Sequence, residues 1–303
     1  MWLTVSFNEL EGTIPEAYGE LPYLTIFECN DNWLTGEIPA GFFRQPNLLQ
    51  FSPNMNLLSG TIPSEIGLLT TLHSLFWFGT LVEGTIPSEV GLLEDVRNLW
   101  WMNNFLTGTI PSEIGNLHLL QSFYVEDNQL SGSLPTEVGE LSAMQAVRLH
   151  RNQLGGPLPS ELGRLKNVVE FNFALNDASG ATIPAEIFDM ESVVFMDLNT
   201  SNFAGPLSPN VGSAKSLMSF RVSGNELTGT IPSEIGLLEG LIQLFVHNNY
   251  FTGSVPNEVC QLRGPSNLQF LNADCGGAIP EVTCITGCCT GCCDEFGQCQ
   301  RTQ

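Results

Sequence analysis

Cysteines and histidines are the residues best suited to chemistry in this 303-residue chain, and their spacing separates them. Eight of the nine cysteines follow residue 259: Cys260, Cys275, Cys284, Cys288, Cys289, Cys292, Cys293 and Cys299. An even number at this density reads as four disulfides closing one end of a fold. Eight cysteines allow about a hundred pairings, so spacing assigns none of them. Cys289 and Cys292 have the spacing of a zinc knuckle. The vicinal pairs and the distance along the chain to any histidine fit such a site badly, so no metal is expected. Disulfides imply an oxidising, secretory route and an extracellular or cell-surface destination. The four histidines (His73, His118, His150, His247) are scattered. There is no Gly-rich phosphate loop, nucleophile elbow or HExxH motif, so the chain reads as a non-enzyme with no cofactor.

Carboxylates form the other regular feature. Glu65, Glu89, Glu113, Glu137, Glu161, Glu186, Glu234 and Glu258 each sit two residues after a proline. An acid there is placed to cap the start of a helical turn and is favoured by its dipole. A calcium site would need six or more converging oxygens, which a row of this kind does not supply. The chain holds 32 Asp and Glu against 10 Lys and Arg, a net charge of −22. That balance excludes binding to nucleic acid backbones or anionic membranes. No apolar run of about 18 residues is present to cross a membrane. Hydrophobic residues make up 43%, enough for a large core.

These residues are positioned by a repeat. The motif Gly-x-(Ile/Leu/Val)-Pro has its glycine at 12, 36, 60, 84, 108, 132 and 156, and again at 229, 253 and 277. Gly180 carries one extra residue before its proline, and at Gly205 the proline is replaced by Ser208. Twelve copies result, and they absorb eleven of eighteen prolines and twelve of thirty glycines. Four residues before the glycine stands Asn8, Asn32, Asn56, Asn104, Asn128, Asn152, Asn176, Asn225 or Asn249, with Thr80, Ser201 and Ala273 as exceptions. Numbered from this asparagine, positions −5 and −3 are apolar and alternate with polar neighbours, as in a short half-buried strand. Cys29 falls in the −3 column and reads as a small buried hydrophobe. The segment Pro-x-Glu-(Ile/Val)-Gly reads as a helical or 3₁₀ turn with proline at its start. The asparagines read as a ladder that satisfies backbone groups at each turn.

On these motifs the chain resembles the plant-type leucine-rich repeat, as found in receptor-kinase ectodomains and polygalacturonase-inhibiting proteins. The Cys-rich tail resembles that of secreted algal and diatom repeat proteins. The resemblance implies an α/β repeat solenoid: a right-handed superhelix of about twelve 24-residue coils, with a parallel sheet on its concave face. It also implies a second short strand near the glycine. The repeats span residues 1–280 and the Cys-rich cap 281–303. Leu3, Val5 and Asn8 already occupy repeat columns, so the chain is expected to begin inside a longer protein whose leader and N-terminal cap lie upstream.

Positions −7, −6, −4, −2 and −1 are expected to face solvent on the strand side. There, copies four to six place Phe76, Phe78, Trp100, Met102 and Tyr124 side by side, like the core of an interface. Glu126, Asp127, Arg148, His150 and Arg151 follow as a polar rim. In the last copy, Gln269 and Leu271 take the −4 and −2 positions. Six acids and four bases lie on this face, leaving it close to neutral, so most of the acidity belongs elsewhere. The sequon Asn199-Thr200-Ser201 lies on the same face. The function expected is recognition of a protein, peptide or glycan. An adhesion or cell-wall role, inhibition of a secreted hydrolase, and self-association are the alternatives. Ice binding would want a regular Thr or Asn array, which the irregular −4 column does not provide.

Overall fold

A computed structural model describes residues 1–303 apart from 264–267, 277–280, 286, 295–297 and 302–303 and the side chain of Arg301. The motif residues Gly277 and Pro280, beside the expected boundary at 280, lie outside the described residues. The chain forms two compact units, Met1–Gln153 and Leu154–Gln303, both leucine-rich-repeat solenoids.

In the first unit, seven three-residue strands pair in parallel and in chain order: Trp2–Thr4, Ile26–Glu28, Gln50–Ser52, Ser74–Phe76, Asn98–Trp100, Ser122–Tyr124 and Ala146–Arg148. The 24-residue period holds the register, so Phe76, Trp100, Tyr124 and Arg148 are cross-strand neighbours. The strand covers positions −6 to −4. Its middle residue and the −3 residue beyond it enter the core, as Leu99 and Trp101 do in the fifth copy. Cys29 is buried in that column, as expected. Phe27, Phe42 and Phe51 stack with ring centroids 4.9 to 5.8 Å apart.

The −1 position is not a strand position. Asp31, Met55, Asn103, Asp127 and Arg151 there have φ between 53° and 57°. This left-handed conformation is uncommon for Met or Arg. It directs the next residue, the ladder position, into the core. Asn128 Nδ2 donates to the carbonyls of Trp101, Val125 and Glu126 at 2.8 to 3.3 Å, while its Oδ1 accepts from Leu106 N–H at 2.9 Å. One amide thus ties two successive coils, as the ladder reading predicted. Ser201 keeps part of the pattern, its hydroxyl donating to the Phe173 and Asn199 carbonyls, while Thr80 donates through its N–H and hydroxyl to Asn104 Oδ1.

The repeat glycine also has a geometric cause. Gly108 has φ +73°, and it ends the second short strand Phe105–Gly108. The proline that follows is the N-cap of a five-residue 3₁₀ segment such as Ser112–Asn116. The glutamate stands in the first turn of the segment, where the sequence placed it to meet the dipole. It also accepts from the preceding hydroxyl: Ser112 Oγ lies 3.2 Å from Glu113 Oε2. Its backbone packs on the coil before. A Cβ at Gly91 would lie 2.5 Å from the Glu113 carbonyl oxygen, so the motif glycine sets the spacing of the coils. Where Ser208 replaces the proline, its hydroxyl accepts from Asn210 N–H, a direct N-cap.

The second unit repeats the scheme with strands Glu170–Asn172, Phe195–Asp197, Ser219–Arg221, Gln243–Phe245 and Phe270–Ala273. Gly291–Cys293 and the antiparallel Cys299–Arg301 follow. The last copy departs from its expected columns. Leu271 pairs with Leu244, a core position, and is buried. That coil is three residues longer than the usual 24, and it carries an α-helical turn, Asn257–Gln261, in place of 3₁₀. Gln269 and Leu271 therefore do not occupy the −4 and −2 columns. Asp274 closes the ladder there, accepting from Asn248 and Asn249 N–H at 2.6 and 3.1 Å.

Candidate recognition surface

The strand face of the first unit carries a continuous aromatic row. Phe76 and Trp100 ring centroids are 4.5 Å apart, Trp100 and Tyr124 stack at 5.1 Å, and Phe78 leans on Trp100 at 6.3 Å. The Arg148 guanidinium covers the Tyr124 ring at 4.4 Å. All five side chains are half-buried. The in-register pairing of short strands puts the −4 residues Phe76, Trp100, Tyr124 and Arg148 side by side, with Phe78 from the −2 column beside them. The −6 column fixes their orientation. Trp100 Nε1 donates to Ser122 Oγ at 2.7 Å, that hydroxyl donates to Asn98 Oδ1 at 2.7 Å, and Asn98 Nδ2 donates to Ser74 Oγ at 3.1 Å.

The polar end of the row differs from the expected rim in one respect. Glu126 is only 6% exposed and lies 4.0 Å from Arg148 Nη1, so it anchors that arginine from below. Arg151 is exposed and lies 3.8 Å from Asp127. Met102 and His150 occupy the −2 column, half-buried, next to the row. Phe76, Phe78, Trp100, Tyr124, Arg148 and Glu126 are therefore joined by direct contacts, and Arg151 forms a separate pair. The rings pack on each other and each stays partly open to solvent.

The same columns in the second unit are pinned by polar contacts. Arg221 lies 3.5 Å from Asp197, donates to Gln243 Oε1 at 2.7 Å and sits between the rings of Phe195 and Phe245. Asn199 of the sequon accepts from Ser223 N–H and Oγ, and Ser201 is fully buried in the ladder.

All eight candidate cysteines pair, as Cys260–Cys288, Cys275–Cys292, Cys284–Cys289 and Cys293–Cys299. His247, remote in sequence, lies against this cap: a ring nitrogen is within 4.8 Å of the Cys293 and Cys299 sulfurs. Those sulfurs are bonded to each other and offer no thiolate to a metal. Burial holds the His247 pKa below the ordinary imidazole value. Beside it, Asp274, Glu281 and Asp294 line a 350 Å³ cleft that the sequence did not reveal. Burial pushes the Asp274 carboxyl up, against the two backbone N–H groups it accepts. Glu281 is pushed up by desolvation and by the Asp274 charge.

Residues 216–238 match the Leucine Rich Repeat family model. No curated protein sequence matches the chain. Solved structures do. A TDR receptor superposes with a TM-score of 0.85 and 28% identity, over 90% of this chain and 47% of that one. The ectodomain of the Arabidopsis receptor kinase HAESA, bound to an N-terminally extended IDA peptide hormone, gives 0.84 and 26%, over 99% and 51%. A plant ice-binding protein gives 0.62 and 25%, over 93% and 83%. The chain spans about half the length of the two receptors it matches. It is a leucine-rich-repeat solenoid similar to plant receptor-kinase ectodomains.

Proposed function

We propose that this chain is a non-catalytic extracellular recognition module whose first-unit strand face binds an extended peptide segment. The observation that carries this reading is the row Phe76, Trp100, Tyr124 and Arg148, held in register and half-open to solvent. Covering an aromatic side chain is worth about 1.5–3 kcal/mol, and such residues with arginine dominate the energetics of interfaces. The charges at one end of the row, Arg148 over Glu126 and Arg151 beside Asp127, supply polar contacts that fix direction along a peptide. HAESA, a structural relative, was solved with a peptide hormone bound. Four disulfides suit an oxidising extracellular setting. The irregular −4 column, with Phe, Trp, Tyr and Arg in successive coils, favours recognition of one molecule over a lattice such as ice.

Selection from a random peptide library against the folded chain tests the reading, with an oligosaccharide array and secreted hydrolases as parallel arms. Peptides that bind the wild type and lose at least about tenfold in affinity to Trp100→Ala with Tyr124→Ala support it. Enrichment confined to the glycan or hydrolase arm, or binding indifferent to that pair, overturns it.

A further inference from the structure

Apolar side chains off the strand face also stand open to solvent in the middle coils of the first unit. One position after the ladder residue, Trp33, Leu57, Leu81 and Phe105 are 57, 43, 45 and 47% exposed. They stand at or next to the start of the second short strands, and backbone bonds step the row from coil to coil. Trp33 N–H donates to Leu10 O at 2.9 Å, Leu81 N–H to Leu58 O at 2.8 Å and Phe105 N–H to Val82 O at 2.8 Å. Successive members are thus separated by about one strand spacing, roughly 4.8 Å. Trp33, Leu57 and Met55 line a cleft of about 360 Å³ with Asp31 and Gly79. Gly79 makes room for the Met55 sulfur, which lies 2.6 Å from where a Cβ would stand.

The repeat does not require this row. In the second unit the same column reads Asp177, Asn202, Glu226 and Tyr250, and Asp177 and Glu226 N–H make the same backbone bond, to Leu154 O and Phe203 O. Exposed apolar side chains cost solubility, and four in succession exceed the scattered singles of an ordinary surface. Acids surround the row. Glu11 is paired across the strands with Trp33 and Glu83 with Phe105, and Asp31 lines the cleft. Segments 7–13, 31–37, 55–61, 79–85 and 103–109 together hold five acids and no base.

We propose that this row is a second binding surface, for a protein segment presenting a large apolar side chain flanked by lysine or arginine. Charge complementarity selects that occupant. A second copy would bring a net charge of −22 and the same acids against the row. The apolar side chain enters the cleft between Trp33, Met55 and Leu57, and the cations meet Asp31, Glu11 and Glu83.

Calorimetric titration with a short peptide of lysine and leucine around one tryptophan tests this on the full chain, beside a twin with glutamate for lysine. The basic peptide should bind, the acidic twin should not, and affinity should fall with salt. Trp33→Ser with Leu57→Ser should weaken binding at least about tenfold at unchanged Tm, because the second unit tolerates polar residues in this column. Glu11→Gln with Glu83→Gln should weaken it less and flatten the salt dependence. Trp100→Ala with Tyr124→Ala should leave it unchanged, which separates this surface from the strand face. Equal binding of the acidic twin, or indifference to Trp33→Ser with Leu57→Ser, overturns the proposal. A dimer in sedimentation that this pair dissolves assigns the row to a second copy and overturns it as well.

Discussion

The two units build the same coil from the same ladder, glycine and 3₁₀ segment, yet they use the remaining positions in opposite ways. In the first unit three successive −4 positions form an aromatic row partly open to solvent, and the column after the ladder is apolar in four successive coils. In the second, the −4 column is locked by Asp197, Arg221 and Gln243, and the unit ends in four disulfides. The coil needs only its core, its ladder and its close glycine contacts. What the other positions carry is free to serve a partner or to stabilise the unit.

The largest effect should come from the cap. Cys260→Ser with Cys288→Ser removes a link between residues 28 apart and should cost about 3 kcal/mol. Native-state hydrogen exchange should then show faster exchange at Gln243–Phe245 while Ser122–Tyr124 keeps its protection. An equal loss in both would mean that the units unfold as one block. Next comes the shared frame. Asn128→Ala and Asn225→Ala each strand several buried backbone groups and should each lower stability by about 2 kcal/mol in denaturant titrations. A large difference between the two would break the claim that the units share one coil.

Acidification should act more weakly, and on the second unit. The folded pKa of His247 lies below its unfolded value of 6.5, so the unfolded chain binds the extra proton. Stability should therefore fall as pH drops below that value, and His247→Gln should flatten the slope. Asp274 works in the opposite sense. Its folded pKa lies above 3.8, so it favours the folded state as pH falls toward that range. Cys29 gives the smallest effect, visible only in reactivity. Burial pushes its thiol up to about 12, so a thiol reagent at neutral pH should label it only after unfolding.

The coil was legible because its requirements are periodic. Asn128, Gly108 and Ile114 recur with their neighbours at a fixed spacing, and each has one physical task. The aromatic row was legible for the same reason, since a column read across copies becomes a line of contacts. Features that depend on depth or on a broken period were hidden. Glu126 reads as a surface acid, and only the fold shows it buried beneath Arg148. His247 reads as an isolated repeat residue until the chain returns and lays the Cys293–Cys299 link against it. The longer last coil shifted Leu271 into the core because its extra residues carry no motif. The left-handed turn had left a trace, the frequent Asn, Asp and Gly at −1, which the larger apolar side chains in that column obscured.

Titration of one library-selected peptide against two paired variants tests the central claim most directly. Trp100→Ala with Tyr124→Ala opens the row of the first unit, and Arg221→Ala with Phe245→Ala opens the matching columns of the second. Recognition through the first unit predicts at least about a tenfold loss of affinity for the first pair and none for the second. Equal affinity for wild type and the first pair, or a loss confined to the second, would contradict it.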